Sequence, residues 1–264
     1  MVLGLLQHRV AVAAVDRDAA PLEELSAVVQ KDERAAALLT IPLDLTLPGA
    51  AEQIDKQVLA RFGRIDILVN NAGIGQSVVW KDRYVNPVRF WNIEPDQWRL
   101  FFRTNTDTQF FMARMAAPHM MRQGWGRIIN VSTSFSTMLG SGRAPYGPSK
   151  AAAEAMTSIM AADLQNTGVT VNALTPGGMA NTHLHVGSPY DPAKMLQPEI
   201  MVPPLLWLIS DAASHVTSRR FIAARWDPAL PGEQAAAIAG GPVAWSTEGN
   251  RAINPEMRVP QQQN

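Results

Sequence analysis

The chain has 264 residues, with 23 Lys and Arg against 23 Asp and Glu and therefore no net charge. That balance argues against a nucleic-acid footprint or an anionic-membrane surface, each of which needs a basic excess. The sequence holds no cysteine, which excludes disulfides, thiolate catalysis and cysteine-ligated metals.

The length suits one α/β domain over 1–264, with apolar residues enough for a core. The first residues, MVLGLLQHRVAVAAV, lack a basic leader, and Gln7-His8-Arg9 interrupt the apolar run, so they do not read as a signal peptide. No stretch reaches the roughly 18 apolar residues that span a bilayer. The expectation is a soluble cytoplasmic protein that meets neither nucleic acid nor membrane.

In chain order, Arg9 to Val15 reads as a strand closed by Asp16. Leu22 to Leu39 has helical periodicity behind Asp18 and Pro21. Thr40 to Leu43 predicts a strand, Ala50 to Phe62 a helix, and Ile65 to Val69 a buried strand running into Asn70-Asn71-Ala72-Gly73. Ile74 to Asn92, with Trp80, Trp91 and Pro87, reads as a loop or lid. Asp96 to Gln123 is mostly helix, and Arg127 to Val131 an apolar run behind Gly124 and Gly126, as in a buried parallel strand. A Gly/Ser/Thr-rich loop leads to an alanine-rich helix opened by Tyr146. Val169 to Leu174 is a strand ending in Pro176-Gly177-Gly178. A proline-rich excursion covers His183 to Pro204, with a helix at Leu205 to Ser210 and a last strand at Phe221 to Ala224. The remainder, 225–264, shows little periodicity and predicts an irregular tail. Strands alternating with helices predict an α/β fold with a doubly wound parallel sheet and helices on both faces.

Tyr146 and Lys150 stand four apart at the start of a helix, on one face and one turn from each other. A free phenol, with a pKa of about 10, is a poor acid or base near neutrality, and an ammonium beside it favours the phenolate. A hydroxyl at the end of the preceding strand can then hold a carbonyl or alcohol while the tyrosine moves the proton. A second copy of the spacing, Tyr190 and Lys194, sits between prolines with no strand leading into it and reads as loop. His183 and His185 alternate as metal ligands would, but no third ligand converges in sequence, so no metal is expected.

NNAG (70–73) after a strand, Asn105 in a helix, INVSTS (129–134), YGPSK (146–150) and VNALTPGG (171–178) occur in one order, each on a fitting element. Together they resemble the short-chain dehydrogenase/reductase family over residues 1 to 224, single-domain Rossmann-type oxidoreductases. The resemblance implies hydride exchange between NAD(P) and a secondary alcohol or a ketone or aldehyde. It makes Tyr146 the general acid/base, Lys150 the holder of the nicotinamide ribose that also lowers the tyrosine pKa, and Asn105 the residue that positions a relay water. The substrate-orienting hydroxyl falls on Thr133 or on the adjacent Ser134. Asp44, Leu45, Asn71, Ala72 and Gly73 would flank the adenine, and Pro176, Gly177 and Thr182 would line the nicotinamide end. Asp16 would accept from the adenosine ribose and favour NAD over NADP, a preference that Arg17 blurs. The family also implies dimers or tetramers, for which Ala151, Ala152, Ala155 and Ala162 offer a small-residue helix face.

One departure is large. The family opens with a strand and a glycine-rich TGxxxGxG turn, whereas these first residues resemble the second half of the first crossover helix followed by the second strand. The missing strand is central in a doubly wound sheet, and its loss leaves two neighbours with unpaired backbone groups. A late start methionine, a truncated product or another filler of the slot would each account for it. The rival readings are a non-catalytic family member acting as a subunit, and a sugar-nucleotide epimerase or dehydratase sharing the Tyr/Lys pair.

Overall fold

Glycines at 124 and 126 admit the chain to a deeply enclosed strand, β4 (Gly126–Val131), in which every residue but the last is buried. In this computed structural model, which describes residues 1–30, 33–185 and 187–245, β4 is the second strand of a five-stranded sheet. β3 (Ile67–Asn70) lies parallel on one side, and β5 (Val169–Thr175) parallel on the other. β6 (Arg219–Ile222) follows β5 in parallel, and β7 (Gly240–Pro242) closes the edge antiparallel to β6. All seven β5 residues are buried, as expected of a strand covered on both faces.

Helices cover the two faces, and the alternation of side chains along a strand splits the core between them. On one face Ile129 and Leu174 pack with Leu205 and Leu208 of α8 (Val202–Leu208), Phe221, and Leu5 and Leu6 of α1 (Val2–Gln7). On the other, Ile128 and Val171 pack with Met112, Ala116 and Met120 of α5 (Thr108–Gln123) and Ile54 of α3 (Ala50–Phe62).

The sheet is broken where the sequence lacks its first strand. β1 (Val12–Asp16) and β2 (Leu38–Pro42) form a separate parallel pair, with α2 (Ala19–Val29) between them in sequence, and no ladder joins β1 to β3. One cleft of about 2490 Å³ runs between the two sheets and on into the candidate site, lined by Val12 to Asp16 on one side and Ile67 to Asn71 on the other. Gln109 of α5 lines the same cleft, 2% exposed, and neither of its amide atoms has a hydrogen-bond partner. What joins the halves is helix packing: α1 against α8 on one face and α3 against α5 on the other.

Several sequence expectations are corrected. The helix expected to Leu39 stops at Val29, and a 3₁₀ turn (Glu33–Ala37) feeds β2, which starts at Leu38. The helix expected over Asp96 to Gln123 is α4 (Pro95–Phe102) and α5, joined by a π-helical turn (Arg103–Asp107). The loop after β4 holds a short helix, α6 (Phe135–Leu139). The tail expected to be irregular carries α9 (Gly232–Ala239) and β7, because Ala235, Ala236 and Ala239 bury against the sheet end; 246–264 lies outside the described residues. β7 also makes the sheet mixed rather than wholly parallel.

Strands paired on both sides should be the slowest to open. In hydrogen exchange, β4 and β5 amides are expected to outlast those of β1 and β3 by about a hundredfold or more. Equal protection in β1 and β3 would mean that the slot is closed in solution.

Candidate active site

The carboxyl ends of the parallel strands converge on one cleft, where ligands of doubly wound sheets bind. Asp16 ends β1, Asp44 and Leu45 follow β2, Asn71 to Gly73 follow β3, Thr133 and Ser134 follow β4, and Pro176 and Gly177 follow β5. Thr182 lies exposed on the far wall.

α7 (Tyr146–Asp163) carries a row of ionisable side chains. Tyr146, Lys150 and Glu154 sit at four-residue spacing on its buried face. The Lys150 ammonium donates to the Val131 carbonyl at 3.0 Å. Its burial pushes the pKa down to about 8, against the opposing pull of the Glu154 carboxylate. Burial raises the Tyr146 pKa; the nearby Thr133 hydroxyl and the Arg83 and Arg143 guanidiniums act in the lowering direction. Lys150 is not among the groups that lower it. The cations acting on the phenol come from the loops, whereas the lysine is turned toward the strand end.

Of the two hydroxyls, the structure brings Thr133 to Tyr146. Ser134 is the N-cap of α6: its Oγ accepts from the Thr137 amide and bonds the Ser136 and Thr137 hydroxyls. Asn105 sits in the π-helical turn, fully buried. Its Oδ1 accepts from the Ile74 amide at 2.8 Å, and its Nδ2 donates to the Ile74 carbonyl and to Ser149 Oγ, both at 3.1 Å. The asparagine thereby fixes the turn after NNAG to α7.

The Glu154 and Arg220 roles were not read from the sequence. Glu154, fully buried, accepts from Ser132 Oγ at 2.5 Å and from Arg220 at 2.8 Å, and Arg220 also donates to the Thr133 carbonyl. The ion pair thus holds both residues that lead out of β4. The fixed step from Lys150 to Glu154 along one helix face could have signalled the carboxylate; nothing in the RRF run points to its partner.

The resemblance implies a nicotinamide dinucleotide, and the two ends of its expected site fit. A Cβ built on Gly73 would stand 2.9 Å from Asn105 Oδ1 and 3.5 Å from Lys150 Nζ, so the backbone there must be bare to bring these groups together. Gly177, at φ +92°, takes a left-handed turn that side chains resist. At the adenosine end Asp44 is held as a carboxylate, its pKa lowered by the Thr46 amide and hydroxyl. Asp16, exposed, caps the Asp18 amide at 3.0 Å with one oxygen and leaves the other open. Between the ends, no glycine-rich turn occurs among the described residues. His185 bonds Tyr84 at 3.0 Å, and no cluster of metal-ligating side chains exists among the described residues.

A family model described as short chain dehydrogenase matches residues 1–189. The chain belongs to that family. Among short-chain dehydrogenases it is 32% identical over 143 residues to D-beta-hydroxybutyrate dehydrogenase of Rhizobium meliloti, covering 54% of this chain and 52% of that one. It is 33% identical over 135 residues to a 3-oxoacyl-acyl-carrier-protein reductase of Vibrio cholerae, covering 51% of each. The chain therefore aligns with about half the length of the curated relatives it matches. A gluconate 5-dehydrogenase of Burkholderia cenocepacia, solved with NADP and tartrate, superposes with a TM-score of 0.69 at 26% identity, over 89% of both chains. ElxO with NADP bound shares the fold, with a TM-score of 0.68 at 21% identity over 82% of this chain and 88% of that one.

Two outcomes test this geometry. Arg220→Met strands the Glu154 carboxylate in the interior and is expected to cost about 3–5 kcal/mol, read from a urea midpoint. Lys150 has a folded pKa below its unfolded value, so the unfolded chain binds more protons and stability should rise with pH between about 8 and 10. Relative to Lys150→Met, the wild type should gain about 2–3 kcal/mol across that window; parallel curves would contradict a buried, depressed lysine.

Proposed function

We propose that this protein is an NAD(P)-dependent oxidoreductase that interconverts a secondary alcohol and a carbonyl. The observation that carries the reading is the juxtaposition of Tyr146, Thr133 and Lys150 at the mouth of β4, opposite the bare backbone of Gly73. When bound, the nicotinamide accepts or donates the hydride at the substrate carbon. Lys150 would hold its ribose, Pro176, Gly177 and Thr182 would line its ring end, Asp44, Leu45 and Asn71 to Gly73 would flank the adenine, and Asp16 would accept from the adenosine ribose. NAD is the preferred form on the strength of Asp16; the NADP named for two structural neighbours leaves the phosphorylated form open to Arg17.

In reduction, the Tyr146 phenol gives its proton to the forming alkoxide while Thr133 donates a hydrogen bond to the same oxygen. In oxidation the proton returns to the phenolate. The raised Tyr146 pKa suits the acid role near neutral pH. Asn105 acts by fixing the 73–74 turn against Ser149 of α7, and any relay water would be ordered by that frame.

No helix among the described residues is long and apolar enough to cross a membrane, and a cytoplasmic setting is part of the proposal. Phe110 and Phe111 on α5 and Ile159 on α7 are exposed, at 42%, 47% and 52%. These exposed apolar residues, with the half-buried Ala151, Ala152 and Ala155 and the exposed Ala162, would suit contacts in a homodimer or homotetramer.

A second reading, a non-catalytic subunit, is favoured by the broken sheet and by the unpartnered Gln109 amide in the cleft. Titration with NADH and NADPH separates the two readings: saturable binding supports the enzyme, and its absence from a folded chain supports the subunit. Tyr146→Phe should abolish turnover, by about a hundredfold or more, with nucleotide binding kept. Thr133→Ala should cost far more activity than Ser134→Ala. Near-normal turnover in Tyr146→Phe would remove the tyrosine from the reaction.

A further inference from the structure

Two cationic side chains on the substrate side of Tyr146 have no anionic partner among the described residues. Arg83 comes from the lid segment and Arg143 from the loop before α7; both line the cleft and neither forms a salt bridge. The groups acting on Arg83 are Tyr84, Arg143 and Tyr146, with no carboxylate among them. Arg83 and Arg143 act on Tyr146 and on His185 in turn, so the four groups share one pocket. Burial and the two guanidiniums depress the His185 pKa, leaving its imidazole neutral.

The cluster is built rather than loose. Arg83 donates from Nε to Ser77 Oγ at 2.8 Å and from Nη2 to the Tyr84 hydroxyl at 2.5 Å, and its guanidinium stacks 4.0 Å over the Tyr84 ring. The Tyr84 hydroxyl in turn meets His185 Nδ1 at 3.0 Å. The two arginine-bearing segments are tied together: Gln76 Nε2 donates to the Gly142 and Ala144 carbonyls at 2.9 and 3.0 Å, and Arg89 bonds Ser141 at 3.0 Å. Holding two guanidiniums together, partly out of water and unpaired, is costly unless an anion completes them. Ile74 and Leu184 line the same cleft and pack with Tyr146, giving it an apolar stretch beside the arginines.

We infer that Arg83 and Arg143 bind the carboxylate of the substrate, so that the alcohol or carbonyl presented to Tyr146 belongs to a small hydroxy- or oxo-acid. This rests on the oxidoreductase reading of the same site. The guanidinium forks supply paired donors to the two carboxylate oxygens, and the apolar stretch accepts a short carbon chain.

The test is direct binding of 3-hydroxybutyrate and of tartrate to the full chain by calorimetry, with 1,3-butanediol as the neutral comparison. The expected result is saturable carboxylate binding that weakens with salt, with the diol far weaker. Arg143→Met and Arg83→Met should each weaken binding about ten- to hundredfold, while Arg143→Lys keeps part of it and circular dichroism shows the fold intact. Carboxylate and diol binding alike, or indifference to both Met variants, overturns the inference. Displacement of the acid by NADH would assign the arginines to cofactor phosphates and overturn it as well. Turnover is read separately. Acid binding without turnover keeps this inference and removes the oxidoreductase reading; turnover of the hydroxy- or oxo-acid with the same KM in wild type, Arg83→Met and Arg143→Met does the reverse.

Discussion

A buried ammonium organises this site. Lys150 sits between a phenol one turn before it and a carboxylate one turn after it, all on the enclosed face of α7. Burial disfavours its charge and Glu154 favours it, and the pKa of about 8 shows that burial wins without discharging the lysine at neutral pH. Glu154 in turn needs Arg220, since an interior carboxylate with only a lysine and a serine would carry a large desolvation cost. Arg220 reaches from β6 to the Thr133 carbonyl, so one ion pair ties α7, β4 and β6 together at the point where the reacting groups emerge. The same charges that stabilise the corner also aim it.

The divided sheet sets a second constraint. In a continuous sheet the adenosine-side strands are fixed to the catalytic strands by backbone hydrogen bonds, which are directional and specify register. Here β1 and β2 keep their place through α1 on α8 and α3 on α5, contacts that are largely apolar and tolerate sliding. The two ends of the expected dinucleotide site therefore belong to bodies of unequal rigidity. Tyr146, Thr133, Lys150 and Gly73 all lie on the five-stranded side, whereas Asp16 and Asp44 lie on the two-stranded side.

Much of this was legible in the sequence because the signals are local. The apolar run 127–131, the glycines around it and the four-residue step from Tyr146 to Lys150 each specify their element without help from distant residues, and α3 has the bounds that its periodicity gives. What escaped depends on distant contacts. Glu154 looks like one polar residue in an alanine-rich helix until Arg220, 66 positions away, meets it. Arg83 and Arg143 belong to segments read only as lid and loop, and they become a pocket through Gln76 and Arg89. α9 escaped because its alanines bury against a sheet end that pattern alone does not reveal.

Those loop arginines also change how the tyrosine is tuned. The sequence suggested a lysine that lowers the phenol pKa, but the charges acting on it in that direction are Arg83 and Arg143, which line the same cleft. An anion bound between them would cancel much of their positive field at Tyr146. Burial, which raises the phenol pKa, would then act with less opposition, and the proton would be held more firmly on the oxygen. Occupancy of the pocket would thus set Tyr146 as the acid that carbonyl reduction requires, and departure of the acid product would restore the field. On the proposed function, the fixed residues of α7 would place the proton donor and the charge of the substrate would adjust its strength.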